Sequence, residues 1–172
     1  SLAVIVSDRF AEFVFRDRSL GLRRATAADL RAIRRLHAAW ATRKPGVLER
    51  GEWWWKRVLS REDEPREAHV VVNRGRVEGY IVGMLESSAG GRLDFHVRDM
   101  AALSAPAWRR IFTFVSDQRS LCDFFHFTGA PSDLSLFLAA EWRAEVKKSK
   151  RWMLRVLDVK RALEARGYAP AV

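Results

Sequence analysis

The sequence is poor in cysteine, proline and glycine. A single cysteine, Cys122, stands among 172 residues, which excludes an internal disulfide and any zinc site built from cysteine pairs. Five prolines and ten glycines are too few for a low-complexity or collagen-like chain. Unbroken apolar runs fall far short of the roughly 20 residues needed to span a bilayer, so no membrane role is expected. The opening SLAVIVS lacks the basic start and long apolar block of a secretory signal. No internal repeat occurs. These absences point to a packed protein of a reducing compartment, the cytoplasm.

What is present is apolar bulk and positive charge. Hydrophobic residues make up 48% of the chain and the net charge is +10. The basic residues alternate with acids, as in REDEPRE, which reads as a solvated surface rather than a polyanion-binding face. The densest basic run, 143–155, lacks the glycine and aromatic pattern of RNA-binding strands. Nucleic acid is therefore not an expected partner, although a basic nucleic-acid-binding module stands as an alternative.

Periodicity orders the chain. A strand is predicted over 20–25, and Thr26 with Asp29 three residues on forms a shortened capping box. Leu30, Ile33, Leu36, His37 and Trp40 share one face of the helix that follows, which stops at Pro45 and Gly46. A second helix covers about 50–60. Residues 68–73 and 76–87 make a hairpin around Gly75, and 92–103 is a third strand. Ser104 and Pro106 open a helix over 104–120. An aromatic strand (121–129), a short helix from Ser132, strands in 142–149 and 151–159, and a helix between Asp158 and Gly167 complete the chain. Residues 1–18 read as an edge strand or a lead-in from a preceding domain. The order predicts an α+β fold with a mixed, mainly antiparallel sheet of six or seven strands flanked by helices.

Three tryptophans in a row, Trp53 to Trp55, fall on the second helix. At 100° per residue, Trp54, Trp55, Val58 and Leu59 share an arc of about 140° and form a core face. Trp53 falls on the polar side, between Lys56 and Arg57. It is covered by a loop of this chain or is a candidate interface residue.

Few residues suggest chemistry. Asp94, His96 and Arg98 share a strand face, and a carboxylate beside a histidine orients a general base; surface charge pairing is the simpler reading. His37 is expected to be a hydrogen-bonded structural histidine. His69 and His126 lack partners at metal-ligand spacing. Cys122 has no basic neighbour and reads as a buried, inert thiol. Asp99 reads as a turn or cap residue. No catalytic, cofactor-binding or metal-ligating residue is assigned.

Four stretches in order carry a resemblance: ATRKPGVLERGEWWWKRVL, VEGYIVGML, HVRDMAALSAPAWRRIFTFVSDQ and RWMLRVLDVKRALEARGY. Together they resemble the enhanced intracellular survival family of GCN5-related N-acetyltransferases, across roughly residues 20 to 168. More narrowly, they look like the second domain of that family plus the start of its third. The resemblance implies a GNAT-like middle domain over 19–157 and the beginning of a truncated sterol-carrier-like domain over 158–172. It also implies a missing N-terminal catalytic domain that holds acetyl-coenzyme A, and a homo-oligomeric full-length protein. Family members acetylate amines, including aminoglycosides and lysine side chains. Their acid is a tyrosine of the first domain and their base is the C-terminal carboxylate. Neither role carries over: Tyr80 and Tyr168 sit in other motifs, and Val172 follows only a partial third domain.

A working domain of this fold holds pyrophosphate at a glycine-containing turn before a helix, where bare backbone N–H groups face the ligand. Here that turn reads DMAALSAPAWRR. It has no glycine, Pro106 removes an N–H, and only Arg109 or Arg110 remains to attract an anion. The expectation is a noncatalytic segment that binds no acetyl-coenzyme A itself and serves to scaffold, line a cleft or assemble. A standalone acetyltransferase with an atypical cofactor site is the alternative.

Overall fold

The computed structural model describes residues 2–6, 16–43, 47–59, 65–88, 90–129, 144–147 and 156–165. Among the described residues seven strands form one sheet: β1 (Leu2–Val6), β2 (Gly21–Arg24), β3 (Glu67–Asn73), β4 (Arg76–Ser87), β5 (Leu93–Ala102), β6 (Cys122–Gly129) and β7 (Ala144–Lys147), in the order β2-β3-β4-β5-β6-β1-β7. The helices are α1 (Leu30–Ala41), α2 (Glu52–Leu59), α3 (Ala105–Asp117) and α4 (Val159–Glu164). The class is the expected mixed α+β. The body of the fold, β2 to β6, has five strands, short of the expected six or seven; only β1 and β7 beyond β6 bring the sheet to seven.

Pairing is antiparallel throughout except for β5 with β6. That parallel pair follows from the α3 crossover between its strands. Residues 2–6 were expected at an edge or outside the sheet. They instead lie inside it, with β6 on one side and β7 on the other, because an apolar run can pair on both flanks. The predicted helix from Ser132 lies outside the described residues. So does most of the predicted strand 151–159; its described end, Val156 to Asp158, is not strand.

Local chemistry sets the elements. The β3–β4 hairpin turns through Arg74 (φ 46°) and Gly75 (φ 79°), two left-handed residues as a type I′ turn needs. The Asp29 carboxylate accepts from the Thr26 N–H (2.8 Å) and hydroxyl (2.9 Å) and takes both ends of the Arg23 guanidinium at 2.7 Å. This is the acidic half of a capping box. It starts a short 3-10 turn, Ala27–Asp29, that leads into α1.

Two cores cover the two faces of the sheet. On one, Ile111, Phe112 and Val115 of α3 pack on Val71, Ile81, Phe95 and Phe125. On the other, Ile33 and Leu36 of α1 and Trp55 of α2 pack on Val70, Tyr80, Val82 and Ala101. A bulge links them: Val82 pairs with Asp99 but Gly83 pairs with Val97, so Arg98 is the extra residue of β5. Gly83 is required there, because a Cβ would lie 2.5 Å from Phe95 Cζ.

Among the tryptophans, Trp55 is 3% exposed, Trp54 39% and Trp53 67%. Trp55 is core and Trp53 is outside it, as the helical geometry predicts. The reading of Trp54 is corrected: the arc of α2 that packs on the core runs from Val58 to Leu59 through Trp55, and Trp54 lies at its edge, so only one indole of the expected pair is buried. Trp53 and Trp54 lie 5.9 Å apart, and the Arg57 guanidinium lies 5.8 Å over Trp53.

Candidate functional site

The bulge of β5 delivers Asp99 to the α1–α2 face. There Asp99 accepts two hydrogen bonds from Arg50, Nη1 to Oδ2 at 2.5 Å and Nη2 to Oδ1 at 3.1 Å. It also accepts one from the Tyr80 hydroxyl at 2.6 Å. Both partners of the ion pair are largely buried, and the Arg50 guanidinium lies 5.3 Å over the Trp55 ring. Burial and the Asp99 carboxylate push the Tyr80 phenol far above its ordinary range, so it stays a donor. Burial opposes the Arg50 charge, but its bonds to Asp99 outweigh that and hold it ionised.

The expectation of Asp99 as a turn or cap residue is therefore corrected. It is a strand residue that anchors a buried network. Sequence separations of 49 and 19 residues hid its partners. The one available signal was an acid directly before the apolar end of the strand, Met100 to Ala102.

Beside this network is a cavity of about 450 Å³, lined by Arg34, His37, Ala38, Val47, Arg50 and Trp55 among others. His37 packs between Trp40 (5.8 Å) and the edge of Trp55 (5.2 Å). The expected hydrogen bond is not found at Nε2, which has no partner among the described residues; nor has Arg34 Nε. Burial first, and then Arg50, lowers the His37 pKa and keeps the ring neutral.

The N-terminus of α3 is closed. The Ser104 hydroxyl accepts from the Ala107 N–H (3.3 Å) and donates to Glu78 Oε2 (2.9 Å). Pro106 has no N–H, which leaves that of Ala105 among the first three helical residues. The Glu78 carboxylate puts negative charge where a phosphate would need to approach. Arg109 and Arg110 do not turn to this end: Arg109 Nε donates to Asp17 (2.9 Å) and Arg110 Nε to the Leu20 carbonyl (3.0 Å).

The description "acetyltransferase (GNAT) domain" matches residues 46–156, more than half of the chain. The chain belongs to the GNAT acetyltransferase family. An uncharacterized N-acetyltransferase of Streptomyces griseus is 33% identical over 156 residues, covering 82% of this chain and 38% of that protein. A GCN5-related N-acetyltransferase from Anabaena variabilis superposes with a TM-score of 0.86 at 26% identity, covering 98% of this chain and 44% of that one. Eis1 from Mycobacterium abscessus, at 22% identity, shares the fold with a TM-score of 0.72 over 100% of this chain and 46% of its own. The GNAT chain described here thus spans less than half the length of these relatives. The GNAT family uses acetyl-coenzyme A. The α3 turn does not fit its pyrophosphate, given an occupied N–H, a missing N–H and an adjacent carboxylate.

Cys122 is a buried free thiol, its pKa pushed up to about 11 by burial and then by nearby Asp94. His69 lies 4.7 Å from Phe114. Tyr168 lies outside the described residues. Asp94 and His96 do share a face, but their partners come from other strands. Asp94 meets His126, and His96 meets Glu86. Arg98 reaches Glu86 at 3.1 Å from the bulge. His126 does have a histidine and a carboxylate beside it, which corrects the expectation of no such partners. Parallel pairing of β5 and β6 brought them together across 30 residues of sequence.

Proposed function

We propose that this chain is a noncatalytic GNAT segment of a longer, acetyl-coenzyme-A-dependent N-acetyltransferase of the enhanced intracellular survival type, acting on amines such as aminoglycosides or lysine side chains. In that protein a preceding domain binds the cofactor and carries the chemistry. This segment braces it, contributes a wall to the acceptor cleft and takes part in assembly, and a sterol-carrier-like domain follows. The closed α3 N-terminus carries the reading: Ser104, Pro106 and Glu78 occupy or remove what a pyrophosphate would use. Two surfaces support it. Trp53 and Trp54 stand exposed side by side on α2. Val156, Leu157, Val159 and Leu163 are exposed around α4, a helix too short to hold on its own. Calorimetry of the chain with acetyl-coenzyme A is expected to give no heat of binding; micromolar affinity would overturn the reading.

One observation favours a second reading, a standalone acetyltransferase with an atypical cofactor site. The cavity by Arg50 keeps two buried, unsatisfied polar atoms, His37 Nε2 and Arg34 Nε, among the described residues. A thiol-release assay over a panel of amines tests it. Absence of coenzyme A formation by this chain alone counts against it.

A further inference from the structure

On the α1–α2 face of the sheet, but away from the cavity, four titratable side chains meet where β5 and β6 last pair. Parallel register places His96 directly against His126, and Asp94 lies two residues earlier on the same face. The two imidazoles stack at 4.2 Å, 11° from parallel. Asp94, His96 and His126 each offer a donor atom within 4.8 Å of the others. Their side chains are 16%, 24% and 22% exposed, so the cluster is mostly dry and open on one side. Past this point β5 pairs with β4 alone.

We propose that Asp94, His96 and His126 form a binding site for a transition-metal dication of the zinc type. Imidazole and carboxylate are the donors such ions take, and three protein ligands with one open position make a recurrent arrangement. The geometry is near that of a loaded site. His126 Nε2 and Asp94 Oδ2 stand 3.1 Å apart, while bonds of about 2.1 Å at a tetrahedral angle separate two zinc donors by about 3.4 Å. A metal therefore replaces the shared proton with little movement, the imidazole proton shifting to Nδ1. The His96 ring needs to tilt out of its stack to add the third bond.

The charge balance also calls for a cation. Arg98 is engaged with Glu86, whereas Asp94 Oδ1 is buried with no hydrogen-bond partner among the described residues. Burying a carboxylate oxygen unpaired is costly, and a dication beside it removes the cost. Glu86 Oε2, 3.3 Å from His96 Nε2, is the orienting carboxylate behind a ligand, as metal-bound histidines commonly have. A metal here ties β5 to β6 at the point where the two strands part.

The test is titration of the tag-free chain with Zn²⁺ by calorimetry, and with Co²⁺ by visible absorption. One ion per chain is expected, with a Kd of about 10 µM or tighter and a Co²⁺ spectrum of four- or five-coordinate nitrogen and oxygen ligation. Asp94→Asn, His96→Ala and His126→Ala should each weaken binding by more than 100-fold, and Glu86→Gln by about 10- to 100-fold. Because the alanine variants risk unfolding, His126→Gln, which keeps bulk and polarity, is measured beside them with circular dichroism as the check on folding. A folded His126→Gln that binds as the parent does overturns the proposal, as does a parent Kd weaker than about 1 mM. Unchanged imidazole nuclear magnetic resonance shifts of His96 and His126 on zinc addition overturn it too.

Discussion

Removing the charge of Asp99 while keeping its shape isolates the buried network from the rest of the fold. In Asp99→Asn the amide presents one acceptor oxygen where the carboxylate offers two to three donors: Arg50 Nη1, Arg50 Nη2 and the Tyr80 hydroxyl. Its NH₂ group then faces a guanidinium N–H. Arg50 stays buried with its cation uncompensated, under Trp55 and near His37. Breaking a buried pair in this way costs about 3–5 kcal/mol. With a urea dependence of roughly 2 kcal/mol per molar for a domain of this size, the midpoint should fall by about 1.5–2.5 M. Trp55, stacked on Arg50, reports unfolding by fluorescence. Removing both charges in Asp99→Asn with Arg50→Met should recover part of the loss, because the cost is the orphaned cation and not a missing attraction. A loss under about 1 kcal/mol in the single variant, or strictly additive losses in the double, would refute this account.

Three further outcomes are expected. Trp53→Ala should change stability by less than about 0.5 kcal/mol, whereas Trp55→Ala should lose about 3–5 kcal/mol; chemical denaturation of both decides whether Trp53 belongs to this core or to an interface. The Asp29 carboxylate is held well below its ordinary range, chiefly by Arg23 and, against burial, by Thr26. Its stabilisation is thus complete above an unfolded pKa near about 3.9 and is lost as pH falls through the lower folded value. Asp29→Asn should lower stability at pH 7 by about 1–2 kcal/mol and flatten the fall of thermal midpoint between pH 5 and the acid limit. Gly83→Ala should cost about 1–3 kcal/mol by forcing the Phe95 ring off its place; an unchanged melting temperature would show that the ring yields freely.

Much of the fold was legible because it rests on neighbours in sequence. Thr26 and Asp29 announce the start of α1, Gly75 the hairpin, Ser104 and Pro106 the start of α3, and Asp158 caps α4 through the Arg161 N–H. The same local reading gave the expectation that the turn before α3 does not hold pyrophosphate, since a missing glycine and a proline act on the backbone where they stand. Trp54 escaped it because helix periodicity gives the direction of a side chain but not how wide a strip of the helix the sheet covers.

The sequence by itself determined the order of elements from β2 to β6, the apolar face of α1 and the odd position of Trp53, all consequences of backbone period and local hydrogen bonding. Only the tertiary structure decided that Asp99 holds Arg50 and Tyr80, that Glu78 sits over the start of α3, and that His96 stacks on His126. All three depend on strand register, and the first two also on the one-residue bulge at Arg98. A single residue of slip reverses which face a side chain occupies, and no local pattern records it.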